Sequence, residues 1–474
     1  MTYDHDLIVV GGGPAGENVA DRAVQGGLTA VIVESELVGG ECSYWACMPS
    51  KALLRSPQAL RSAQRVAGAS AAVTGELDVA AVLARRDAFA SRWSDESQVG
   101  WLDSAGIDLV RGHARLVGER EVGVTDADGA ERVLRARHAV VLSTGSEAMI
   151  PAIDGLATAA PWTSREATSA ARIPASLTIL GGGVVGVEMA TAHAQLGSEV
   201  SLIARGGLLG PMEPFAGELV ADGLGELGVS VRTGVGTTRV ERQESGVVVE
   251  LADGSSVRSA ELLVATGRRP RTADLGLEVV GLEPGSWVRT DDTLRVPGHD
   301  WLYAVGDVNG RALLTHQGKY QGRAAGDVIV ARARGERVDD RAWGRHVATA
   351  DHRAVPQIVF SEPEVASVGL TAAAAERAGH RVVVLDHDLG RIAGASLRED
   401  GYSGRARLVV DEDREVVLGA TLVGPDVAEL VQAATVAVVA EVPIPRLWHA
   451  VPAYPSVSEI WLRLLEAWFS RSRD

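Results

Sequence analysis

The only two cysteines of this 474-residue chain, Cys42 and Cys47, lie five positions apart. Two thiols this close, with no third cysteine to pair with, form either a redox couple or a pair of inert core thiols, since free cysteine is commonly buried. In a regular helix such residues point in different directions, and their Cα atoms lie beyond the ~7 Å that a disulfide tolerates. A disulfide here therefore requires a distorted helix start, which Gly39, Gly40 and Pro49 permit.

The composition is that of a globular protein with several domains. Hydrophobic residues make up 46% and charged residues 23% of the chain, whose length predicts about three domains. The net charge of −16 argues against nucleic acid or an anionic membrane surface as a partner. No signal peptide precedes the first apolar run, at Leu7, and no apolar run is long enough to span a bilayer. We therefore expect a reducing, cytoplasmic location, where such a cysteine pair indicates catalysis.

A dinucleotide-binding pattern opens the chain. A strand-like run, Leu7–Val10, leads into a G-x-G-x-x-G motif, a helical pattern through Ala30 and a second strand that ends in Glu34; the motif's glycines are Gly11, Gly13 and Gly16. This motif lets the backbone approach a pyrophosphate, whose charge the helix N-terminus stabilises. Glu34 lies about 20 residues further on, where a ribose hydroxyl is expected. The pattern predicts a bound dinucleotide.

The same pattern recurs later in the chain. A strand over 177–180 precedes a second motif, with Gly181, Gly183 and Gly186, and another strand ends in Ala204. This internal repeat predicts two nucleotide-binding folds. Because Ala204 replaces the acid and Arg205 follows it, nothing repels a 2′-phosphate and a guanidinium is present to bind it. The pattern favours NADPH; NADH, with Arg205 as a merely solvated surface residue, is the alternative.

Shorter signatures follow each copy. Two strands end in similar turns, at Thr144-Gly145 and at Thr266-Gly267, and a strand-like run over 301–308 carries Gly306-Asp307. An aspartate at such a place can bind a polyol or ribityl chain, although an isolated one is more often a cap or turn acid. From about Ala348 the chain has the texture of a separate α+β region.

Together these motifs resemble the flavin- and pyridine-nucleotide-dependent disulfide oxidoreductases, which include dihydrolipoamide dehydrogenase, glutathione reductase and mercuric reductase. The resemblance runs end to end and includes Pro49-Ser50-Lys51 and the segments 359–364 and 368–371. It implies an α/β fold with two Rossmann-like domains, one for FAD and one for NAD(P), and a C-terminal α+β domain that forms a homodimer. The domain boundaries that we predict are 1–149 for the first part of the FAD domain, 150–270 for the NAD(P)H domain, 271–346 for the remaining FAD-binding region and 347–474 for the dimerisation domain.

The resemblance also assigns roles to residues. It makes Cys42 the interchange thiol that meets the substrate, and Cys47 the thiolate against the flavin. Lys51, one of only two lysines in the chain, pairs with Glu188 near the flavin. Glu34 binds the FAD ribose and Asp307 the ribityl and pyrophosphate region. The predicted cofactor-binding set is completed by Gly11, Gly13, Gly16, Gly40, Thr144, Gly145, Gly181, Gly183, Gly186, Arg205, Gly267 and Gly306.

The chain departs from the family near its C-terminus. The usual His-Pro-Thr-x-x-Glu motif corresponds here to Tyr454-Pro455-Ser456-Val457-Ser458-Glu459, so that Tyr454 replaces the acid/base histidine. Tyrosine, with a pKa near ~10, is a poor general base at neutral pH. The nearest histidine, His449, is an alternative base or a cap or interface residue. We retain Tyr454, Glu459 and His449 as candidate catalytic residues.

The expected function is electron transfer from NAD(P)H through FAD to a Cys42–Cys47 disulfide and on to a small disulfide or another acceptor. One alternative is a dihydrolipoamide dehydrogenase docked in a larger complex, and another is direct quinone reduction with the cysteines as bystanders. Mercury reduction is a minor alternative, because no cysteine follows Cys47 to capture the metal, and no metal site is expected.

Overall fold

The computed structural model describes residues 2–471. Its strands are β1 (His5–Val10), β2 (Ala30–Glu34), β3 (Asp108–Arg111), β4 (His113–Gly118), β5 (Glu121–Thr125), β6 (Glu131–Leu142), β7 (Ser146–Ala148), β8 (Ser176–Leu180), β9 (Glu199–Ala204), β10 (Ser230–Thr233), β11 (Thr237–Gln243), β12 (Gly246–Leu251), β13 (Ser256–Ser259), β14 (Glu261–Val264), β15 (Arg268–Pro270), β16 (Leu302–Ala304), β17 (Gln357–Val359), β18 (Glu364–Gly369), β19 (Val382–Asp388), β20 (Arg405–Asp411) and β21 (Val416–Gly424).

The α-helices are α1 (Pro14–Gln25), α2 (Gly40–Tyr44), α3 (Cys47–Gln64), α4 (Val79–Phe89), α5 (Glu96–Ala105), α6 (Ser164–Ser169), α7 (Val184–Gln195), α8 (Pro214–Glu226), α9 (Thr315–Ala333), α10 (Ala350–Arg353), α11 (Ala372–Arg377), α12 (Ala393–Arg398), α13 (Val431–Val439), α14 (Ile444–Leu447) and α15 (Ile460–Ser470). Short 3-10 helices lie at Ser70–Ala72, Ser91–Trp93, Leu277–Val280, Gly306–Asn309, Leu389–Arg391, Val427–Leu430 and Val457–Glu459.

The chain forms two compact units. The first comprises the chain up to Pro49, Asp87–Met149 and Arg268–His352; the second comprises Ser50–Arg86, Ile150–Gly267 and the chain from Arg353 onward. Neither unit is continuous in sequence, and the predicted domain boundaries stay a prediction. Within residues 2–471, no helix is both long and apolar enough to cross a bilayer.

The first unit is built on a parallel sheet in the order β3-β2-β1-β6-β16, which β5 and β4 extend with antiparallel pairing along the long strand β6. Leu7–Val10 in β1 are all buried, as expected for a parallel strand covered on both faces. Helix α1 ends at Gln25 and not at Ala30, so our prediction for its end was wrong. The reason is the Gly26-Gly27 pair, whose second residue has φ +79° and ends the helix.

The second unit contains the repeat of this pattern and the C-terminal region. A parallel sheet in the order β10-β9-β8-β14 has β11, β12 and β13 beside it as a separate antiparallel sheet. The C-terminal region forms a five-stranded antiparallel sheet in the order β17-β18-β21-β20-β19. Helices α13 and α15 share one apolar core with these strands.

Close backbone packing fixes the turn of each glycine motif. A Cβ on Gly16 would lie 2.2 Å from the carbonyl oxygen of Gly11, and a Cβ on Gly186 would lie 2.0 Å from that of Gly181. A Cβ on Gly13, by contrast, would meet no protein atom within 4 Å. The third glycine of the first motif therefore serves packing, whereas its second glycine faces open space above the start of α1.

This contrast predicts different defects for Gly16→Ala and Gly13→Ala. Gly16→Ala forces the backbone apart and should destabilise the protein by roughly 1–3 kcal/mol. Gly13→Ala, at an ordinary φ of −75°, should keep the stability but lose FAD, because the methyl group enters the space that the pyrophosphate is predicted to occupy. Thermal unfolding with excess FAD and flavin absorbance per protein separate the two effects. Equal loss of stability in both variants, or full flavin content in Gly13→Ala, would contradict the assignment.

Candidate active site

The two cysteines lie on either side of a break between two helices. Cys42 lies in α2, and Cys47 begins α3. Trp45, the residue that follows α2, has a non-helical conformation with φ −135° and ψ −1°. The distortion that the five-residue spacing requires is therefore present. The two side chains are thiols that hydrogen-bond to each other.

Two glycines hold the cysteine segment against the first glycine motif. The Gly39 N–H donates to the carbonyl oxygen of Gly12 over 2.8 Å. Gly40, at φ +58°, approaches so closely that a Cβ there would lie 3.0 Å from Cα of Gly13. Gly39 itself has φ +110°, a conformation that favours glycine. The cysteine segment therefore lies beside the start of α1.

The surroundings of Cys42 act on its ionisation in both directions. The hydrogen bond with Cys47 raises the pKa of Cys42, and burial and the charge of Cys47 raise it further; a hydrogen bond with Thr315 and the positive charge of Lys319 act in the opposite direction. Thr315 Oγ1 also lies 3.3 Å from the sulfur of Cys47. Because a charge on either thiol opposes a charge on the other, the two thiols do not both lose their protons together.

The residues around the first motif fit a dinucleotide. The N–H groups of Gly12 and Glu36 each donate to a carboxylate oxygen of Glu34 over 2.7 Å, which fixes that carboxylate as an acceptor for ribose hydroxyls. The first intrahelical bond of α1 is from the N–H of Glu17 to the carbonyl oxygen of Gly13. The N–H groups before Glu17 in the first turn are therefore free for a phosphate.

A second group of residues in the same unit fits the ribityl part of FAD. Ser146 Oγ donates to Asp307 Oδ2 over 2.5 Å, and burial raises the pKa of Asp307. Gly306 packs on the first turn of α1, where a Cβ would lie 3.0 Å from Cβ of Ala15. Thr144 Oγ1 is buried and has no hydrogen-bond partner among residues 2–471, as expected of a group that awaits a ligand. Gly145, at φ +73°, completes the turn.

The second glycine motif has the same geometry as the first, but a different residue ends the strand that follows its helix. A Cβ on Gly12 would lie 3.4 Å from Cβ of Glu34, and a Cβ on Gly182 would lie 3.0 Å from Cβ of Ala204. Ala204 is therefore the structural counterpart of Glu34. Arg205 is exposed, and no residue in the described part of the chain forms an ion pair or hydrogen bond with its guanidinium.

The other predicted cofactor-binding glycines of the second unit lie at the start of α7 and in two turns. A Cβ on Gly183 would meet nothing within 4 Å, so the start of α7 is open to a ligand, as the start of α1 is. Gly181, at φ +121°, and Gly267, at φ +143°, form the turns that follow β8 and β14. These positions fit a second nucleotide.

Lys51 and Glu188 form an ion pair in the second unit. Lys51 Nζ lies 2.8 Å from Glu188 Oε2, and the other oxygen accepts a 3.0 Å hydrogen bond from the N–H of Phe360. The ammonium group also lies 4.9 Å from the centre of the Phe360 ring. Glu188 is only 3% exposed, so these partners compensate the cost of burying its charge.

The structure does not bring together the three candidate catalytic residues near the C-terminus. Tyr454 is 77% exposed and His449 is also exposed. Glu459 is buried and forms an ion pair with Arg463, one turn further along the chain. Within residues 2–471, no hydrogen bond joins Tyr454 or His449 to Glu459. The Glu459 carboxylate is thus bound to an arginine.

Sequence reasoning missed several residues of the first unit. Thr315 and Lys319 act on the thiols from helix α9, and Ser146 and Arg268 flank Asp307, with Arg268 Nε 3.8 Å from its carboxylate. Lys319 offered a signal, since it is one of only two lysines in the chain. Thr315 offered none, because its proximity to Cys47 depends on a fold that joins positions 268 residues apart.

Comparisons with protein families cover nearly the whole chain. Residues 5–322 match the pyridine nucleotide-disulphide oxidoreductase family, and residues 355–464 match the dimerisation domain of that family. Among curated proteins, a dihydrolipoyl dehydrogenase of Chlorobaculum tepidum is 33% identical over 97% of this chain and 96% of its own length. Dihydrolipoyl dehydrogenase 2 of Haloarcula marismortui is 32% identical over 91% of this chain and 89% of its own length.

Solved structures show the same fold. The HOCl-induced flavoprotein disulfide reductase RclA of Escherichia coli, as a Cu(II) complex, superposes with a TM-score of 0.84 at 23% identity, over 98% of this chain and all of that chain. LpdA of Mycobacterium tuberculosis superposes with a TM-score of 0.83 at 24% identity, over 98% of this chain and 99% of that chain.

These matches confirm the predicted α/β fold, with two nucleotide-binding parts and a C-terminal dimerisation domain. They also confirm that the protein is an FAD-dependent oxidoreductase that acts on sulfur groups. The chain belongs to the pyridine nucleotide-disulphide oxidoreductase family.

Proposed function

We propose that this protein is an NADPH-dependent disulfide reductase in which Cys42 attacks the acceptor and Cys47 is the thiolate of the reduced pair. The observation that carries the proposal is the contact between the two thiols. They hydrogen-bond to each other beside the start of α1, and the positive charge of Lys319 acts on Cys42. An inert pair of core thiols needs neither this contact nor a neighbouring cation.

The electron balance follows from the two thiols. When bound, FAD supplies a two-electron carrier between the nicotinamide and the Cys42–Cys47 disulfide, which takes up two electrons and two protons to become two thiols. Cys42, as thiolate, attacks one sulfur of an acceptor disulfide and expels the other sulfur, which leaves as a thiol once protonated. The Cys47 thiolate then attacks the Cys42 sulfur, which releases the second thiol and restores the disulfide.

Cys42 must lose its proton before it attacks, and its raised pKa makes this step costly. The histidine that usually accepts this proton is replaced by Tyr454, which is a poor base at neutral pH. The charge of Lys319 lowers the pKa of Cys42 and so acts in the required direction. We infer that Lys319 stabilises the Cys42 thiolate and partly offsets the missing histidine.

The C-terminal region supports a homodimer. It matches the family's dimerisation domain, and several large side chains there are exposed in the single chain, among them Val436, Trp448, Val451 and Tyr454. Val451 is 84% exposed, the highest exposed fraction of any large apolar side chain among residues 2–471. A second subunit that covers this region would remove that apolar surface from water.

Dihydrolipoamide oxidation is the second candidate function, because the curated relatives quoted above are dihydrolipoyl dehydrogenases. The replacement of the histidine by Tyr454 and the ion pair of Glu459 with Arg463 both argue against efficient turnover of a dithiol that must be deprotonated. NADPH is the favoured nucleotide because Ala204 and an unpaired Arg205 occupy the end of β9.

The role of Lys319 predicts a slower reaction of Cys42 in Lys319→Met. Loss of the positive charge should raise the pKa of Cys42 further, so less thiolate is present at any pH and the rate-against-pH profile moves to higher pH. A shift of one pKa unit lowers the alkylation rate about tenfold. The measurement is iodoacetamide labelling of the reduced enzyme, with Cys42 and Cys47 resolved by mass spectrometry. Lys319→Arg keeps the charge and should keep the rate; equal rates in all three proteins would contradict this role.

The thiol assignment predicts opposite signatures for the two serine variants. Anaerobic titration with NADPH should produce a long-wavelength absorbance band, because the proposed place of the Cys47 thiolate is against the flavin. Cys42→Ser should show this band without any NADPH, since Cys47 then has no disulfide partner, and it should not reduce disulfides. Cys47→Ser should never show the band. Disulfide turnover that persists in Cys42→Ser would refute the proposal and favour direct reduction of quinones.

The nucleotide assignment predicts a selective defect in Arg205→Ala. The loss of a charge-assisted contact with the 2′-phosphate should lower kcat/KM for NADPH about tenfold or more and leave that for NADH nearly unchanged. Steady-state kinetics with both nucleotides measure the ratio. Arg258→Ala, which removes another exposed arginine from the second unit, is the matched control. A parallel fall with both nucleotides would show that Arg205 does not read the phosphate.

A further inference from the structure

A polar cavity lies in the first unit, away from the candidate active site. It has a volume of about 270 Å³, many times the ~30 Å³ that one water takes in the liquid. It lies next to Arg137 and His138, just before the parallel part of β6, and next to the last turn of α9. The glycine motif follows the opposite, carboxyl ends of the same parallel strands. The cavity is therefore separate from the flavin-binding edge of the sheet.

Arginines are concentrated around this cavity, although the protein as a whole carries a charge of −16. Four guanidinium groups line it, with one carboxylate, that of Asp300; the arginines are Arg120, Arg137, Arg295 and Arg332. Tyr303 forms the floor and is 1% exposed. Its hydroxyl accepts a 2.5 Å hydrogen bond from Arg332 Nη1, so its own proton is available to a ligand.

The hydrogen-bonding capacity of these arginines is largely unused. Their ion-pair contacts lie at 3.2–3.6 Å, from Arg120 to Glu119 and Asp300, from Arg137 to Asp6 and from Arg295 to Asp291; among residues 2–471 none of these contacts is a hydrogen bond. The Nε atoms of Arg120 and Arg295 are buried without any hydrogen-bond partner in the described chain. Arg332 has no carboxylate partner there at all.

Arg407, in the second unit, is an example of a guanidinium whose hydrogen bonds are all made within the protein. Arg407 donates two hydrogen bonds of 2.8 Å to Asp386 and one of 2.8 Å to Glu213. An unpaired buried N–H group carries a free-energy cost, which a bound acceptor removes. Several guanidinium forks directed at one cavity favour a multivalent anion with acceptor oxygens in several directions, which is the geometry of phosphate.

We propose that this cavity is a binding site for a small molecule with a diphosphate or similar phosphate group. Arg332 and Arg295 bind the phosphate oxygens directly, and the Tyr303 hydroxyl donates a further hydrogen bond. The C-terminal end of α9 contributes a partial negative charge, so the affinity must come from the guanidinium groups and not from the helix. The site is independent of the proposed electron-transfer function.

The test is calorimetric titration of the FAD-bound protein with inorganic pyrophosphate at constant ionic strength, compared between the unmodified protein and variants of the cavity arginines. One saturable site is expected, and Arg332→Gln and Arg295→Gln should each weaken binding about tenfold, which corresponds to about 1.4 kcal/mol. Arg334→Gln is the matched control: it removes the same charge two residues further on, outside the cavity, and should change the affinity less than about twofold.

Three outcomes would overturn the proposal. The first is the absence of saturable pyrophosphate binding in the unmodified protein. The second is equal weakening by Arg334→Gln, which would show a general field effect. The third is citrate binding as tight as pyrophosphate binding, which would show that the cavity takes anions without preference for phosphate. Unchanged thermal unfolding of the two cavity variants shows that a lost affinity reflects the cavity and not the fold.

Discussion

The contact between two thiols five residues apart is the constraint on which the rest of this structure depends. A continuous helix cannot provide it, so the chain ends α2 at Tyr44 and starts α3 at Cys47. Gly39 and Gly40 anchor the segment to the first glycine motif. The same anchoring places the thiols beside the start of α1, where we expect the flavin dinucleotide to bind. Reactive sulfur and cofactor site are therefore positioned by one set of backbone contacts.

The features that the sequence predicted correctly are those that short stretches of the chain determine. The strands and glycine turns of both repeats were predicted because buried strands and G-x-G-x-x-G motifs have short-range signatures. Strand β21 (Val416–Gly424) was missed, and the run over 301–308 is a strand only at Leu302–Ala304, since Gly306 at φ +74° turns the chain into a 3-10 helix. The site residues contributed by α9 were missed because only tertiary packing brings Thr315 and Lys319 to the thiols.

The two nucleotide-binding parts show how one backbone supports two specificities. Each turn brings a glycine against the residue at the end of the next strand, and the space between them is nearly the same, as Gly12 with Glu34 and Gly182 with Ala204 show. In the first copy a carboxylate is held there by two backbone N–H groups, so it can only accept hydrogen bonds. In the second copy the methyl group of Ala204 occupies this place and carries no charge. The proposed difference in ligand therefore depends on the side chains at the end of this strand and not on the fold.

The missing histidine has a physical consequence for the choice of acceptor. A base near Cys42 matters most when the protein must deprotonate a dithiol, because both substrate sulfurs then lose protons at the active site. In the reductive direction the enzyme supplies its own thiol, and a fixed cation such as Lys319 can favour the thiolate without accepting a proton. The replacement of histidine by Tyr454 and the positive charge of Lys319 are therefore our reasons for proposing disulfide reduction over dithiol oxidation.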